Sequence, residues 1–144
     1  MEVRDAKSKD LQEIAKIMIQ EFSKPPFKEK TVIDPVIKSL KFYLKIGKIF
    51  VAIKNKKIIG VVVFKVEQWW EGQVILIEDL TVKEGFKKQE IGKILTDWVE
   101  RYAIKIKAKA VAFTTNKKSS FVKFYTKEGY KREKNTIFLR KDLN

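Results

Sequence analysis

The sequence contains neither cysteine nor histidine among its 144 residues. Without cysteine, neither disulfides nor thiolate chemistry is available, and the chain fits a reducing compartment. Without histidine there is no Ser-His or Cys-His relay and no histidine-ligated zinc. Any general base must therefore be a carboxylate, a lysine, a tyrosine or an ordered water. We expect a cytoplasmic protein that holds no metal.

Long hydrophobic runs are also scarce. The longest purely apolar stretch extends only from Ile58 to Phe64, whereas a membrane-spanning helix needs about 20 apolar residues. Charged residues follow Met1 at once, so we expect no secretory signal. No repeat, low-complexity segment or linker interrupts the chain. These features predict one globular domain over residues 1–144 that does not cross a membrane.

Positive charge is abundant, with 32 Lys and Arg against 18 Asp and Glu and a net charge of +14. Such an excess suits nucleic acid, a membrane surface or a polyanionic cofactor. A lysine-covered, ion-pair-rich surface explains the same count. Because lysines are spread over nearly the whole chain, composition alone leaves these alternatives open.

The order of predicted elements is β-α-α-β-β-β-α-β-α-β. Alternating apolar residues predict strands at Val3–Ala6, Ile49–Lys54, Ile58–Val66, Val74–Val82, Ala110–Thr114 and Thr136–Leu139. Helical spacing predicts helices from Leu11 to Phe22, from Asp34-Pro35, from Ile91 to Tyr102, and at Ser119–Lys127. Asp10 and Glu13 are spaced as a capping box, and Pro25-Pro26 ends the first helix. Antiparallel hairpins followed by a right-handed β-α-β crossover predict an α/β fold with a mixed, mostly antiparallel sheet and flanking helices.

One loop is suited to phosphate binding. The strand ending at Val82 leads through a lysine-containing loop into the third helix, whose first backbone N–H groups and dipole form an anion site. Lys87, Lys88 and Lys93 add positive charge there. Solvated surface lysines would give the same pattern, so the loop alone is weak evidence.

Two motifs carry a family resemblance. The run Leu80-Thr81-Val82 followed by Phe86-Lys87-x-x-x-Ile91-Gly92-x-x-Leu95 resembles motif A of the GNAT acetyltransferase superfamily. The run Phe124-Tyr125-x-x-x-Gly129-Tyr130 resembles its C-terminal signature, and the element order is similar over essentially the whole chain. Within the superfamily, Trp70-x-Gly72 with Glu78-Asp79-x-x-Val82 resembles the diamine (spermidine/spermine) acetyltransferases. The resemblance implies the acyl-CoA N-acyltransferase fold.

The resemblance also implies a binding mode for acetyl-CoA as cosubstrate. The strands ending near Val82 and Thr114 would splay apart, so that backbone groups of β-strand residues pair with the pantetheine arm. The diphosphate would lie on the N–H groups of the following helix start. The implied cofactor-binding residues are Leu80, Thr81, Val82, Lys87, Lys88, Gln89, Glu90, Ile91, Gly92, Lys93, Asn116 and Lys118.

Two residues are candidates for catalysis. The resemblance places the Tyr125 hydroxyl near the thioester sulfur, as the general acid for the leaving thiolate. Packing on an amphipathic helix is the structural alternative. Glu78 is the candidate base, directly or through a water, because an attacking ammonium must first lose a proton. Since neighbours on a strand point to opposite faces, we expect only one of Glu78 and Asp79 to face the cleft.

The acceptor is indicated by local charge. From Val66 to Val82 there are acidic residues and two tryptophans but no lysine or arginine. We therefore expect Trp70, Glu71 and Asp79 to bind a cationic amine through ion pairing and cation–π contact. A solvated hairpin tip, or a homodimer interface, explains the same residues. Without cysteine there can be no cysteine-linked acetyl-enzyme, so transfer would be direct within a ternary complex.

The prediction is thus an N-acetyltransferase acting on a small primary amine, with a polyamine or diamine as the preferred acceptor. Acetylation of protein N-termini or lysines is the alternative within this class. A basic nucleic-acid or ribosome-binding module with the same fold is the alternative from another class. The lysines available to that module are Lys105, Lys107, Lys109, Lys117, Lys118, Lys123 and Lys127.

Overall fold

The computed structural model describes residues 1–24 and 32–144. Its strands are β1 Glu2–Asp5, β2 Gly47–Lys54, β3 Lys57–Trp69, β4 Gly72–Val82 and β5 Ala110–Phe113. Its α-helices are α1 Leu11–Phe22, α2 Ile33–Ile46, α3 Lys88–Lys105 and α4 Ser120–Lys127, with a 3-10 turn at Ser8–Asp10 before α1. All of the predicted elements except the last strand are confirmed. The predicted Pro25-Pro26 helix stop lies outside the described residues.

The strands form one 5-stranded sheet in the order β1-β2-β3-β4-β5. Consecutive strands from β1 to β4 pair antiparallel, while β4 and β5 pair parallel across α3. The β2–β3 turn holds Asn55 and Lys56 at φ 52° and 63°, which suits a two-residue hairpin turn whose twist matches the strands. The mixed, mostly antiparallel sheet is therefore confirmed.

Each face of the sheet buries its own apolar core. On one face α3 packs through residues such as Leu95 and Val99 against β2, β3 and β4. On the other face α1 and α2 pack through Ile14, Met18 and Leu40 against β2 and β3. The helical apolar stripes read from the sequence supply both contacts, because residues three and four apart share one helix face. The sheet is covered on both sides and held rigidly in the middle of the fold.

The predicted strand at Thr136–Leu139 is wrong. Residues 131–144 form neither strand nor helix and are exposed, with Ile137, Phe138 and Leu139 at 77%, 86% and 82% exposure. An apolar run becomes a strand only when a neighbouring strand accepts its backbone hydrogen bonds and its side chains find a face to pack on. The described sheet ends at β5, so the strand-like pattern of this segment is not accompanied by hydrogen bonds to a neighbouring strand.

The predicted capping box is also wrong. The Asp10 carboxylate accepts a hydrogen bond from the Lys7 backbone N–H at 2.7 Å and pairs with the Arg4 guanidinium at 2.7 and 3.1 Å. Glu13 instead accepts the backbone N–H of Ile58 at 2.9 Å. The two carboxylates therefore bind the start of α1 to β1 and β3. They do not form the reciprocal hydrogen bonds of a capping box at the start of α1.

The Arg4–Asp10 pair yields a prediction about acid stability. The hydrogen bond from Arg4 lowers the pKa of the Asp10 carboxyl in the folded protein. The pair therefore stabilises the fold fully at pH values above the unfolded-state pKa of about 3.9. This stabilisation is lost as the pH falls through the lower pKa of the folded state. We expect Asp10→Asn to cost about 1–3 kcal/mol at pH 7, with the difference from wild type shrinking below about pH 4. Urea melts at several pH values measure this.

Asp5→Asn is the matched control. Asp5 pairs with Lys48 at 3.2 Å, but its side chain is 61% exposed, so its loss should cost less than about 0.5 kcal/mol. Equal losses in the two variants would contradict the role assigned to the part-buried pair.

Candidate functional site

The pairing of β4 changes at Glu78. Val62 and Val63 of β3 pair with Leu80 and Asp79, but the next β3 residue pairs with Ile77, so Glu78 is left out of register. A bulge of this kind breaks the side-chain alternation of a strand. The expectation that Glu78 and its neighbour face opposite sides of the sheet is therefore wrong.

Both carboxylates lie on the side of the sheet that carries α2. The pKa of Tyr43, on α2, is raised by burial and then by the charge of Glu78, with a smaller contribution from Asp79 and an opposing one from Lys65. The Lys65 Nζ lies 3.0 Å from Glu78 Oε1 and 3.4 Å from Glu67 Oε1. The bulge thus lies beside a cluster of ionisable side chains from β3 and β4.

A cavity of about 530 Å³ opens where β4 and β5 separate. The last pair between these strands is Ile77 with Phe113, and β4 then continues to Val82. A segment that leaves its partner strand has backbone groups on that edge available to a ligand. The splay that the resemblance implied is present. The cavity is lined by Glu21, Phe22, Lys24, Ile77, Glu78, Asp79, Leu80, Thr81, Val82, Lys88, Phe113, Thr114, Thr115, Asn116, Lys118, Ser119, Ser120 and Phe121.

A buried hydroxyl in this lining lacks a partner. Thr81 is 2% exposed, and its Oγ1 has no hydrogen-bond partner among the residues that the structure describes. Buried polar groups in folded proteins are nearly always hydrogen-bonded, since leaving one unsatisfied is costly. The Thr81 hydroxyl therefore marks a point where a bound ligand with amide or hydroxyl groups would be held.

Helix α3 begins at the same cavity without a capping side chain. Its N-cap residue is Lys87, which makes no side-chain cap hydrogen bond, because a lysine has no acceptor to offer the helix N–H groups. Lys88 of the first turn lines the cavity. Cations here oppose the helix dipole, whereas an anionic ligand would satisfy both the N–H groups and the lysines. The helix start, the orphan hydroxyl and the free strand edge together fit a phosphate-bearing, amide-containing ligand such as CoA.

Half of the predicted cofactor-binding residues line the cavity: Leu80, Thr81, Val82, Lys88, Asn116 and Lys118. The others do not: Lys87, Gln89, Glu90, Ile91, Gly92 and Lys93. Ile91 is buried in the core under α3. At Gly92 a Cβ would lie 3.0 Å from the Phe121 ring and 3.1 Å from the Tyr125 hydroxyl, so this glycine lets α4 approach α3 closely. Lys93 pairs with Asp97 and Glu128 at 3.5 and 3.8 Å.

Tyr125 is 2% exposed and is absent from the cavity lining. Its hydroxyl lies 2.6 Å from Thr96 Oγ1, which itself donates to the Gly92 carbonyl at 2.8 Å. Because the Thr96 hydroxyl has one proton and gives it to Gly92, Tyr125 must be the donor in their shared bond. Burial raises the pKa of Tyr125 to about 12, so the phenol keeps its proton. In this arrangement the Tyr125 proton is directed at Thr96 of α3 and not at the cavity.

The predicted acceptor-binding residues are split between two places. Asp79 lines the cavity, but Trp70 and Glu71 lie at the β3–β4 hairpin tip, where Trp70 is fully exposed. At about 3.3 Å per strand residue, Gly72 at the start of β4 is roughly 20 Å from Glu78. Trp70 and Glu71 therefore do not share a small ligand with the two carboxylates at the bulge.

Sequence analysis missed the contribution of α1. Glu21, Phe22 and Lys24, at the end of this helix, line the cavity. Glu21 is a charged residue on the face of α1 that otherwise buries apolar side chains such as Met18. A carboxylate at a core-facing position is unusual unless it is paired, and that signal was available in the sequence.

Within the described part of the chain there is no group of three or more His, Cys, Asp or Glu side chains arranged to hold a metal ion. Among the same residues, no helix has the length and apolarity needed to cross a membrane.

Comparison with known proteins gives one family match. The model of the acetyltransferase (GNAT) family matches residues 11–130, while no curated protein sequence is significantly similar to the chain. Among solved structures, a possible acetyltransferase from Clostridium difficile 630 superposes with a TM-score of 0.85 at 17% identity, covering 99% of this chain and 98% of that one.

Two further structures show the same fold at similar identity. An aminoglycoside N-acetyltransferase, AAC(6')-Iy, in complex with CoA gives a TM-score of 0.80 at 18% identity over 97% of this chain and 93% of that one. A transcriptional regulator from Bacillus halodurans C-125 gives 0.79 at 18% identity over 96% and 98%. At such identities the likeness establishes the fold.

The orphan hydroxyl yields a stability prediction for the ligand-free protein. Thr81→Val removes an unsatisfied buried oxygen and keeps the shape of the side chain, so we expect its melting temperature to equal or exceed that of wild type. Thr96→Val is the matched control, because the Thr96 hydroxyl makes hydrogen bonds to Gly92 and Tyr125. We expect this substitution to lower the free energy of unfolding by about 1 kcal/mol. Thermal melts measure both. Equal destabilisation by the two variants would mean that the Thr81 hydroxyl has a protein partner.

Proposed function

Because the chain belongs to the acetyltransferase (GNAT) family, we propose that it transfers the acetyl group of acetyl-CoA directly to a primary amine, and that the acceptor is a small di- or polyamine. The observation that carries this proposal is the cavity at the splay of β4 and β5. It has an uncapped, lysine-bearing helix start at one end and two carboxylates at the other. We expect the reaction to take place in the cytoplasm.

Residues of β4 and α3 would hold acetyl-CoA. Backbone groups of Leu80 to Val82 bind an amide-bearing arm as an added strand would, since β5 no longer pairs there. The Thr81 hydroxyl gains the hydrogen-bond partner that it lacks within the described residues. Lys88 and the first N–H groups of α3 carry the diphosphate. Asn116 and Lys118, which line the cavity, complete its rim beyond β5.

The carboxylates at the bulge would bind and deprotonate the acceptor. Glu78 lines the cavity, and its side chain is 26% exposed and pairs with the Lys65 ammonium at 3.0 Å, which supports a role in holding an amine cation. We assign Glu78 as the base that removes the proton, directly or through a water, and Asp79 as a second anionic contact. The freed amine nitrogen forms a bond to the thioester carbonyl carbon and loses its second proton, the C–S bond breaks, and the departing thiolate takes up a proton, so that the products are the amide and the CoA thiol.

A polycationic acceptor must approach a protein of net charge +14. At physiological salt, charges farther than about 8 Å are largely screened, whereas a direct ion pair is not. The local charge at the bulge is negative, because Glu67, Glu78 and Asp79 outnumber Lys65. The near field therefore favours a cation with more than one amine. The aminoglycoside N-acetyltransferase among the similar structures is consistent with a small-molecule amine.

An acetyl-transfer assay over an amine panel tests this function. The panel holds spermidine, a diamine, an amino acid and a peptide with a free N-terminus. We expect the polyamine and diamine to be preferred, and Glu78→Gln to lower kcat by at least about tenfold, since general base catalysis contributes about 10² to 10⁴. Glu71→Gln is the matched control, because Glu71 lies at the far hairpin tip and should leave both kcat and KM unchanged.

Other outcomes would redirect the assignment. If the peptide is acetylated far better than every polyamine, the acceptor is a protein amine and the charge argument fails. If Glu71→Gln raises the polyamine KM as much as Glu78→Gln lowers kcat, the hairpin tip reaches the acceptor after all. If the protein neither binds acetyl-CoA nor transfers acetyl to any amine, the basic binding-module alternative takes the place of the enzyme.

Tyr125 is proposed as the proton donor to the thiolate. The hydroxyl would have to leave Thr96 when the cosubstrate binds, and hydrogen bonds at catalytic groups commonly rearrange between free and bound states. We expect Tyr125→Phe to lower kcat by at least about tenfold while changing the Kd of acetyl-CoA little, because only a transition-state proton is removed. Steady-state kinetics and calorimetry measure the two quantities.

Tyr130→Phe is the control for loss of a buried phenol. Tyr130 donates its hydroxyl to Glu100 at 2.6 Å and is absent from the cavity lining, so kcat should not change. If kcat is also unchanged in Tyr125→Phe, the proton donor is a water and Tyr125 serves only in the packing of α4 on α3.

A further inference from the structure

An ionic network around the buried Glu21 carboxylate joins the end of α1 to the start of α3. The Glu21 side chain is 9% exposed, and its carboxylate lies 2.9 Å from Lys24 Nζ and 3.5 Å from Lys88 Nζ. Lys24 also pairs with Glu84, in the loop between β4 and α3, at 3.2 Å. Glu21, Lys24 and Lys88 all line the cavity.

This arrangement is poorly explained by stability alone. Burying a carboxylate costs free energy that its ion pairs often only balance. Lys88 lies in the first turn of α3, where a cation opposes the helix dipole. An apolar residue at position 21 would extend the buried face that α1 already presents with Met18. The network instead places two lysine side chains at the end of the cavity where α3 begins.

We propose that Lys24 is a further binding residue for the diphosphate of acetyl-CoA, and that Glu21 is a positioning residue that holds Lys24 and Lys88 at the cavity. The inference rests on the proposed function and extends it to α1, which contains no residue of the family motifs. With Glu84 included, the network has two positive and two negative groups, so the cluster is neutral before the ligand arrives.

Exchange of partners makes this cluster suited to an anion. The Glu84 side chain is 69% exposed, so water can solvate its carboxylate when a phosphate takes its place beside Lys24. Glu21 is buried and keeps its hold on both lysines. The hydrogen bond to Glu21 raises the pKa of Lys24, so its ammonium stays fully charged at neutral pH. The lysines would thus meet the phosphates with little loss of side-chain freedom on binding.

The test compares two acetyl donors. Acetyl-CoA carries the diphosphate, whereas S-acetylpantetheine presents the same thioester without it. We expect Lys24→Met to raise the KM for acetyl-CoA and the Kd of CoA by about tenfold, as for loss of one charged hydrogen bond, and to make CoA binding less dependent on salt. The KM for S-acetylpantetheine should not change, and Lys24→Arg should restore CoA binding.

Glu21→Gln should act in the same direction as Lys24→Met on acetyl-CoA, with a smaller effect, and should leave S-acetylpantetheine unaffected. Lys16→Met is the control, because Lys16 is an exposed lysine of α1; it removes the same net charge and should leave all constants unchanged. Melting temperatures of the variants exclude loss of fold as the cause.

Several results would overturn the inference. If Lys24→Met affects both donors equally, or neither, the network only joins α1 to α3. If Lys16→Met weakens CoA binding as much as Lys24→Met, the effect is that of overall charge. If wild type binds CoA and Lys24→Met binds it equally well, this inference fails alone. If wild type binds no CoA at all, the proposed function fails and this inference with it.

Discussion

The separation of β4 from β5 after the Ile77–Phe113 pair is the constraint on which the site depends. Up to that pair the parallel strands satisfy each other's backbone groups, and beyond it β3 is the one described strand that pairs with β4, as far as Val82. A strand edge with free N–H and C=O groups inside a fold must find water or a ligand. The cavity, the orphan Thr81 hydroxyl and the helix start of α3 all lie along this one unpaired edge.

Close packing by α3 keeps the unpaired segment in place. At Gly60, near the start of β3, a Cβ would lie 2.8 Å from the Ile91 side chain and 3.1 Å from that of Leu95, so the helix rests directly on the sheet. Gly92 allows the corresponding approach of α4 to α3. Rigid support of this kind fixes the positions of the groups that line the cavity, as a binding site requires. Gly92, which sequence analysis assigned to cofactor binding, thus serves the packing of α4 on α3.

Electrostatics divides the site into two ends of opposite character. At the start of α3, lysines and helix N–H groups favour an anion, whereas at the bulge of β4 several carboxylates surround a single lysine. Because screening shortens the reach of the overall positive charge, each end is governed by its near neighbours. The proposed function rests on this division, because it pairs a phosphate-bearing cosubstrate with a cationic acceptor.

Local patterns in the sequence determined much of this protein. The spacing of apolar residues was sufficient to predict α1 to α4 and β1 to β5, because the side chains on one face of a helix or strand recur with a fixed period. The run from Leu80 to Leu95 identified the strand, loop and helix that bound the cavity. Helical spacing at Ser119–Lys127 placed α4 correctly in the chain. In each case the information lies within a short segment, so no distant contact is needed to read it.

Contacts between distant segments decided the rest. The bulge at Glu78 depends on the register with β3, so residue alternation alone wrongly predicted that Glu78 and Asp79 face opposite sides of the sheet. The segment Thr136–Leu139 has a strand-like composition, but it pairs with none of the strands in the described part of the chain. Glu21 and Lys24 reach the cavity only because α1 packs beside the end of β4, and Trp70 is removed from it by the length of that strand. A sequence pattern sets what a segment can form locally, whereas hydrogen-bond register and packing between segments set which side chains meet.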